Sequence, residues 1–371
     1  MKNRIKEARI LHVDLPLKKK FKHAITSRSL SNSIFLKLTL EDGTTGYGES
    51  LPRKYVTGET LESVENTLKN IAGEKILGFA PDNYRGVHSL VEGLNIDGAA
   101  GCALELALLN TFGKFFKKRI SALIGEGESK FVYSGVIQAG SVPNVMKSGI
   151  LFRLYGLRYI KVKVGMDDDM ARLRAVRRVV GKDADIRVDA NCAWSADEAI
   201  ANIEKMRECN ISAVEQPVRA DDYKGLKKVT CAVKEAIIAD ESLCTLIDAE
   251  MLAREKACNI FNIRISKCGG IFESLKIAKI ARLNKIGIQL GCQVGESGLL
   301  SAAGWHFARL IPNISFCEGA YGKFLLKEDV AKEDMTIRRG GTIKPVEGFG
   351  LGVNISEKIL KRYTVKEEVI S

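Results

Sequence analysis

Five short stretches decide how this sequence is read. They are Ile160-Lys161-Val162-Lys163-Val164, Arg187-Val188-Asp189-Ala190-Asn191, Val214-Glu215-Gln216-Pro217, Ala239-Asp240-Glu241-Ser242 and Ile265-Ser266-Lys267-Cys268. Each is an apolar run that ends on ionisable residues. Lys163, Asp189, Glu215, Asp240 and Lys267 follow one another at intervals of 26, 26, 25 and 27 residues. One strand–helix unit is about that long. Three further apolar runs, at 131–138, 286–290 and 314–317, extend the series to eight, with helix-sized amphipathic segments between them. Eight strand–helix alternations predict an α/β chain built on a (β/α)8 TIM-type barrel. In such a barrel chemistry gathers at the C-terminal ends of the strands. The five ionisable positions fall at those ends.

The chain before the barrel has a different texture. Ser33 to Leu40 reads as a strand, Glu41-Asp42-Gly43-Thr44 as a turn, and Thr45 to Glu49 as the returning strand. From Thr60 to Phe116 the sequence is helical in character, densest in helix formers from Gly101 to Leu109. We therefore expect an α+β module over 1–125, the barrel over 126–340, and a Gly/Pro-punctuated tail over 341–371.

Composition narrows the function classes. Hydrophobic residues are 46% and charged residues 27% of the 371, as in ordinary globular proteins. No apolar run reaches the roughly 18 residues of a membrane span. The nine cysteines show no C-x-x-C pair, which suits a reducing cytoplasm better than a disulfide scaffold. The formal charge is +12, yet the basic clusters carry no nucleic-acid signature. The expected partner is a small-molecule carboxylate, with no nucleic acid and no membrane.

Strands three to five of the predicted barrel are neighbours, so Asp189, Glu215 and Asp240 can converge. Three carboxylates without His or Cys suit a hard divalent cation, Mg²⁺ first and Mn²⁺ second. Lys163 and Lys267 flank them. Removing a proton next to a carboxylate needs this combination. The C–H is barely acidic, a cation offsets the charge that grows on the carboxylate, and a lysine of lowered pKa can take the proton.

In this order and spacing the motifs resemble those of the enolase superfamily, muconate lactonizing enzyme subgroup. Lys161-Val162-Lys163 resembles its K-x-K motif, and D-A-N, E-Q-P and D-E-S resemble its metal-ligand motifs. The resemblance implies that Asp189, Glu215 and Asp240 hold Mg²⁺ and that Lys163 and Lys267 are the acid/base pair. It implies that the 1–125 module caps the barrel mouth, that the tail returns to it, and that the protein is a homo-oligomer. Lys161 and Glu296 are expected near the substrate, with Asn191 and Glu241 behind the metal ligands. Two polar stretches, 20–28 and 51–59, are expected over the mouth, with Tyr55 as a contact.

The last strand ends Phe316-Cys317-Glu318-Gly319. In dipeptide-epimerase relatives this point carries D-x-D, which binds the substrate ammonium. Here Cys317 and Glu318 stand in that region, which weakens a dipeptide reading. With basic mouth residues favouring a second carboxylate, a muconate-cycloisomerase-like isomerase is expected. The alternatives are a racemase or epimerase of dipeptides or N-acyl amino acids, and an o-succinylbenzoate synthase-like dehydratase. A metal- or anion-binding barrel without turnover is the non-enzyme alternative.

Overall fold

The eight apolar runs become eight short parallel strands: β4 (Gly135–Ile137), β5 (Tyr159–Lys163), β6 (Asp185–Asp189), β7 (Ile211–Glu215), β8 (Ala236–Ala239), β9 (Ile260–Ile263), β10 (Gly287–Leu290) and β11 (Phe316–Cys317). They pair in chain order, β4 through β11. Tyr133 then bridges to Cys317 in parallel, and the Ser134 amide donates to the Cys317 carbonyl at 2.8 Å. That contact joins the last strand to the first and closes the barrel. The coordinates are a computed structural model that describes residues 3–22, 27–96 and 98–371.

Seven helices cross between the strands. After β11 the chain makes only a four-residue helix, Gly322–Leu325, and leaves for the other module. The strands are mostly apolar because both faces are covered, as parallel sheets require. Serine and threonine caps start several of the helices: Ser195 accepts from the Glu198 amide, and Thr245 from the Asp248 amide.

The N-terminal module carries an antiparallel sheet of β1 (Ile5–Lys22), β2 (Ser27–Leu40), β3 (Thr45–Ser50) and β12 (Thr364–Ile370), in the order β12-β1-β2-β3. The tail strand β12 pairs with β1 from Ala8↔Ile370 to Val13↔Thr364. The helix Gly98–Phe115 lies against β3 and β2 and is buried almost all round. Its close approach depends on Gly48, where an added Cβ would meet the Ala103 carbonyl oxygen at 1.9 Å.

Two buried carboxylates tie this module to the barrel. Glu105, on that helix, accepts from the amides of Ile271 and Phe272 at 2.6 and 3.1 Å. Glu49, on β3, accepts from the Ser297 amide at 3.1 Å and from its hydroxyl. Each sits at the N-terminus of a barrel helix, where unpaired amides and the helix dipole favour an anion. No described helix is long and apolar enough to cross a membrane.

Candidate active site

Strand register sets the site. Lys163 pairs with Asp189, and Asp189 with Glu215. Glu215 pairs with Ile238, so Asp240, two residues on, lies on the same face of the sheet one step higher. All three carboxylates are fully buried. Isolated, they would be untenable there. Lys161 resolves part of the problem, with Nζ 3.0 Å from Glu215, 3.1 Å from Asp189 and 2.7 Å from Glu318. Lys163 donates to Asp189 at 2.7 Å and to Asn191 at 2.6 Å. Lys267 donates to the Asp240 carboxylate at 2.9 Å and to the Asp240 and Asn262 carbonyls at 2.6 and 3.0 Å.

The charges shape one another. Burial works against the charged form of Lys161, yet Glu215, Glu318 and Asp189 together hold its ammonium well above the usual lysine range. Burial also opposes ionisation of Asp189, but Lys163 and Lys161 hold it far below the usual carboxylate range. Burial and the neighbouring Asp189 push Glu215 up. Burial pulls Lys267 down. Burial lifts Glu296 to about 7. Burial raises Glu318 too, but Lys161 and Arg187 prevail and keep it ionised.

A cavity of about 380 Å³ opens at this end of the barrel. Its walls include Tyr55, Lys161, Lys163, Asn191, Glu241 and Glu318. Asn191 bridges the two sides of the polar wall, accepting from Lys163 and donating to Glu241 at 3.1 Å. Lys267 is 1% exposed and lies behind the wall. Glu296 is also off this wall. Its carboxylate accepts from the Gln293 amide at 2.6 Å and faces a small internal void beside Glu318.

The structure does not bring Cys317 to the cavity. Its side chain is 1% exposed and borders a separate cleft at the opposite end of the barrel, with Tyr159 and Trp305. The alternation of side chains along β11 explains this, because Glu318 faces in where Cys317 cannot. Arg53, in the 51–59 stretch expected over the mouth, is 2% exposed and donates to the Asn32 and Pro52 carbonyls at 2.9 and 3.0 Å. Residues 23–26 of the first mouth stretch lie outside the described residues.

Five residues that contact these side chains escaped the sequence reading. Asn262 and Gln289 are register partners on β9 and β10 and donate to the two Glu215 oxygens at 3.1 and 2.8 Å. A lone polar residue inside an apolar strand was their signal. Gln216 receives the amides of Asp240 and Ser242 at 2.9 and 3.1 Å, which fixes the turn that carries Asp240. Arg187 is fully buried in β6 and clamps Glu318, with Ser134 at 3.0 Å. Arg264 presses on Asp240 and lies 4.0 Å from Glu215.

As the side chains stand, Lys161 and Arg264 lie among the carboxylates, and no three His, Cys, Asp or Glu among the described residues form a ready metal cluster. The donor chemistry nevertheless fits a hard divalent cation. Three buried carboxylates stand at consecutive strand ends, and beside them Glu241 Oε2 has no hydrogen-bond partner.

Known proteins place this arrangement. Residues 5–125 match the mandelate racemase/muconate lactonizing enzyme N-terminal domain, and residues 150–359 match the enolase C-terminal domain-like family. A hydrophobic dipeptide epimerase of Enterococcus faecalis is 32% identical over 316 residues, 84% of this chain and 89% of that protein. The crystal structure of N-succinyl Arg/Lys racemase from Bacillus cereus superposes with a TM-score of 0.89 at 28% identity, over the whole of both chains. A dipeptide epimerase from Cytophaga hutchinsonii, complexed with Mg and the dipeptide D-Ala-L-Val, gives 0.89 at 25% identity, again over both whole chains. The chain belongs to the enolase superfamily, in its muconate lactonizing enzyme subgroup.

Proposed function

We propose that this protein is a metal-dependent isomerase that inverts a carbon next to a carboxylate, a racemase or epimerase of N-substituted amino acids. The observation that carries this reading is the placement of the two lysines. Lys163 ends β5 and Lys267 follows β9, four strands apart around a closed barrel of eight. Positions four strands apart face each other across the mouth. Asp189, Glu215 and Asp240 occupy the three strand ends between them. Relatives named as epimerases and racemases support this reading over the muconate-cycloisomerase-like one.

Asp189, Glu215 and Asp240 would hold a Mg²⁺ ion. When bound, the ion offsets the negative charge that grows on the substrate carboxylate as the α-proton leaves. The remaining work falls to this chain's own side chains. Lys163 Nζ, on the cavity wall, takes the proton from the α-carbon. Lys267 Nζ returns one to the opposite face, which inverts the centre. For the other enantiomer the two exchange roles. Either lysine must be neutral to take a proton, and burial favours the neutral form of Lys267. Lys161 stays charged, fixed by three carboxylates, and serves to position Glu215 and Asp189. The same reading assigns 1–125 to the cap, 126–340 to the catalytic barrel and 341–371 to a tail completing the cap.

A screen tests the proposal. Mg²⁺-loaded protein is incubated in D₂O with pooled dipeptides and N-acyl amino acids, and α-deuterium is scored by mass spectrometry. For the enantiomer whose α-hydrogen faces Lys163, incorporation that vanishes in Lys163→Ala is expected. Incorporation into both enantiomers in that variant, or any incorporation in the presence of excess EDTA, would contradict it.

A further inference from the structure

The sheet of the N-terminal module has a bare edge. Its order is β12-β1-β2-β3, so β12 pairs with β1 on one side and with no described strand on the other. Outside that ladder, no described residue shares a backbone hydrogen bond with 366–370. The outward amides and carbonyls of the strand are left to solvent or to another chain. Folded proteins commonly blunt such an edge with proline, with bulges or with unpaired lysines. β12 reads Thr364-Val365-Lys366-Glu367-Glu368-Val369-Ile370 and holds neither proline nor glycine. Its one irregularity, a register shift beside Val13, falls at the start of the strand. Its charges are already matched within the chain: Lys366 to Glu65 at 2.6 Å, Glu367 to Arg9 at 2.7 Å, and Glu368 to Lys69. Val365 and Val369 are left in water, 66% and 48% exposed.

The order of these residues is self-complementary. When two copies of one strand pair antiparallel about a twofold axis, the residue on the axis faces itself and its neighbours face one another in reverse order. An axis through Glu367 sets Lys366 opposite the second copy's Glu368, Val365 opposite its Val369, and Thr364 opposite its Ile370. Opposite charges and β-branched pairs in such positions stabilise a sheet. Moving the axis by one residue, to Lys366 or to Glu368, sets that residue against itself and valine against glutamate. The register centred on Glu367 leaves one like pair, Glu367 with itself, and there each carboxylate brings its own Arg9.

We infer that β12 is an interface between two copies of this chain, which join edge to edge through antiparallel β12 strands centred on Glu367. Two four-stranded sheets then become one continuous sheet. This surface lies on the N-terminal module and does not rest on the isomerase reading.

Cysteine cross-linking reads the register directly. Across the axis the two Cα atoms of residue 367 lie about 4.5–5.5 Å apart, within reach of a disulfide. Residue 369 lies four positions out of step with its own copy, about 13 Å away and beyond that reach. Full-length Glu367→Cys and Val369→Cys are treated with oxidised glutathione and compared on non-reducing gels. The unaltered protein gives the background from its native thiols, of which Cys231 is exposed. A covalent dimer of Glu367→Cys is expected, with Val369→Cys no higher than the background. Sedimentation velocity over a concentration series tests the charges. Glu368→Lys turns both Lys–Glu pairs of the interface into Lys–Lys pairs and should weaken self-association about tenfold. Adding Lys366→Glu to that variant should restore it. A monomer at every concentration overturns the inference. So does cross-linking of Glu367→Cys no stronger than that of Val369→Cys, or a double variant that associates no better than Glu368→Lys alone. Should circular dichroism show Glu368→Lys unfolded, the cross-linking pair decides.

Discussion

The two arcs of the barrel mouth differ in how they are made. The β5–β9 arc places its working groups at or just past strand ends, one strand–helix unit apart, and braces them with inward residues of neighbouring strands. Asn262 and Gln289 on Glu215 are one such brace, and Gln216 on the Asp240 turn is another. The seam arc, where β11 meets β4, is made of a helix face and an irregular segment, from residues near 151–157 and 321–337. The first arc is buried and charged, and the second is apolar and partly exposed. The comparison teaches that reactivity is written in strand ends, while the choice of substrate is written in what connects and follows the strands.

Substitutions should separate the arcs. Lys163→Ala, in the polar arc, is expected to lower α-proton exchange of the enantiomer that faces Lys163 by at least about 10³-fold with little change in substrate Kd. A comparable loss from a seam substitution would break the division. Asp240→Asn, or treatment with EDTA, should reduce exchange by roughly 10²–10³-fold, and for Asp240→Asn excess Mg²⁺ should recover part of it. Isothermal titration with Mg²⁺ checks this directly, and unaltered Mg²⁺ affinity in the variant would remove Asp240 from the metal site.

In the seam, Phe152→Ala should raise KM about tenfold while leaving kcat within roughly threefold, because it removes contact made equally before and during reaction. A fall in kcat alone would mean that the seam aligns the reacting carbon. The smallest effect is expected away from both arcs. Burial lifts Glu105 and Glu49 to about 8 from an ordinary 4.5. The folded state therefore holds more protons than the unfolded chain between those pH values. Stability from these groups is full below about 4.5 and declines as pH rises through 8. Glu105→Gln should flatten this decline by on the order of 1 kcal/mol, seen as a weaker pH dependence of the urea midpoint. An unchanged slope would mean that the domain contact does not titrate.

The polar arc was legible from sequence for a physical reason. A parallel barrel repeats one unit, so its strand ends recur at a fixed interval and an ionisable residue closing each run stands out. All eight expected runs contain or overlap strands, the sixth when taken from its start at Ile260. The β2–β3 hairpin and the Gly98–Phe115 helix were legible from alternation and helix-forming composition. What the pattern hid is contact across the barrel. Nothing local marks Arg187 as the clamp of Glu318, or Arg264 as the neighbour of Asp240, since each pairs with a residue far along the chain. Cys317 was placed at the site by its neighbourhood in the sequence, while the alternation along β11 turns it away. Arg53 lies in a stretch read as a polar mouth loop, and the Asn32 carbonyl that draws it inward belongs to a distant segment. The seam escaped because its residues come from connections that no strand register fixes.

The central claim is that Lys163 and Lys267 act from opposite faces of one carbon. The direct measurement follows α-hydrogen exchange in D₂O from each enantiomer of one N-acyl amino acid, separately, in Lys163→Ala and Lys267→Ala. The account predicts that neither variant interconverts the enantiomers, and that each still exchanges only the enantiomer whose α-hydrogen faces its remaining lysine. Equal exchange of both enantiomers by either variant, or racemisation surviving in one of them, would contradict it.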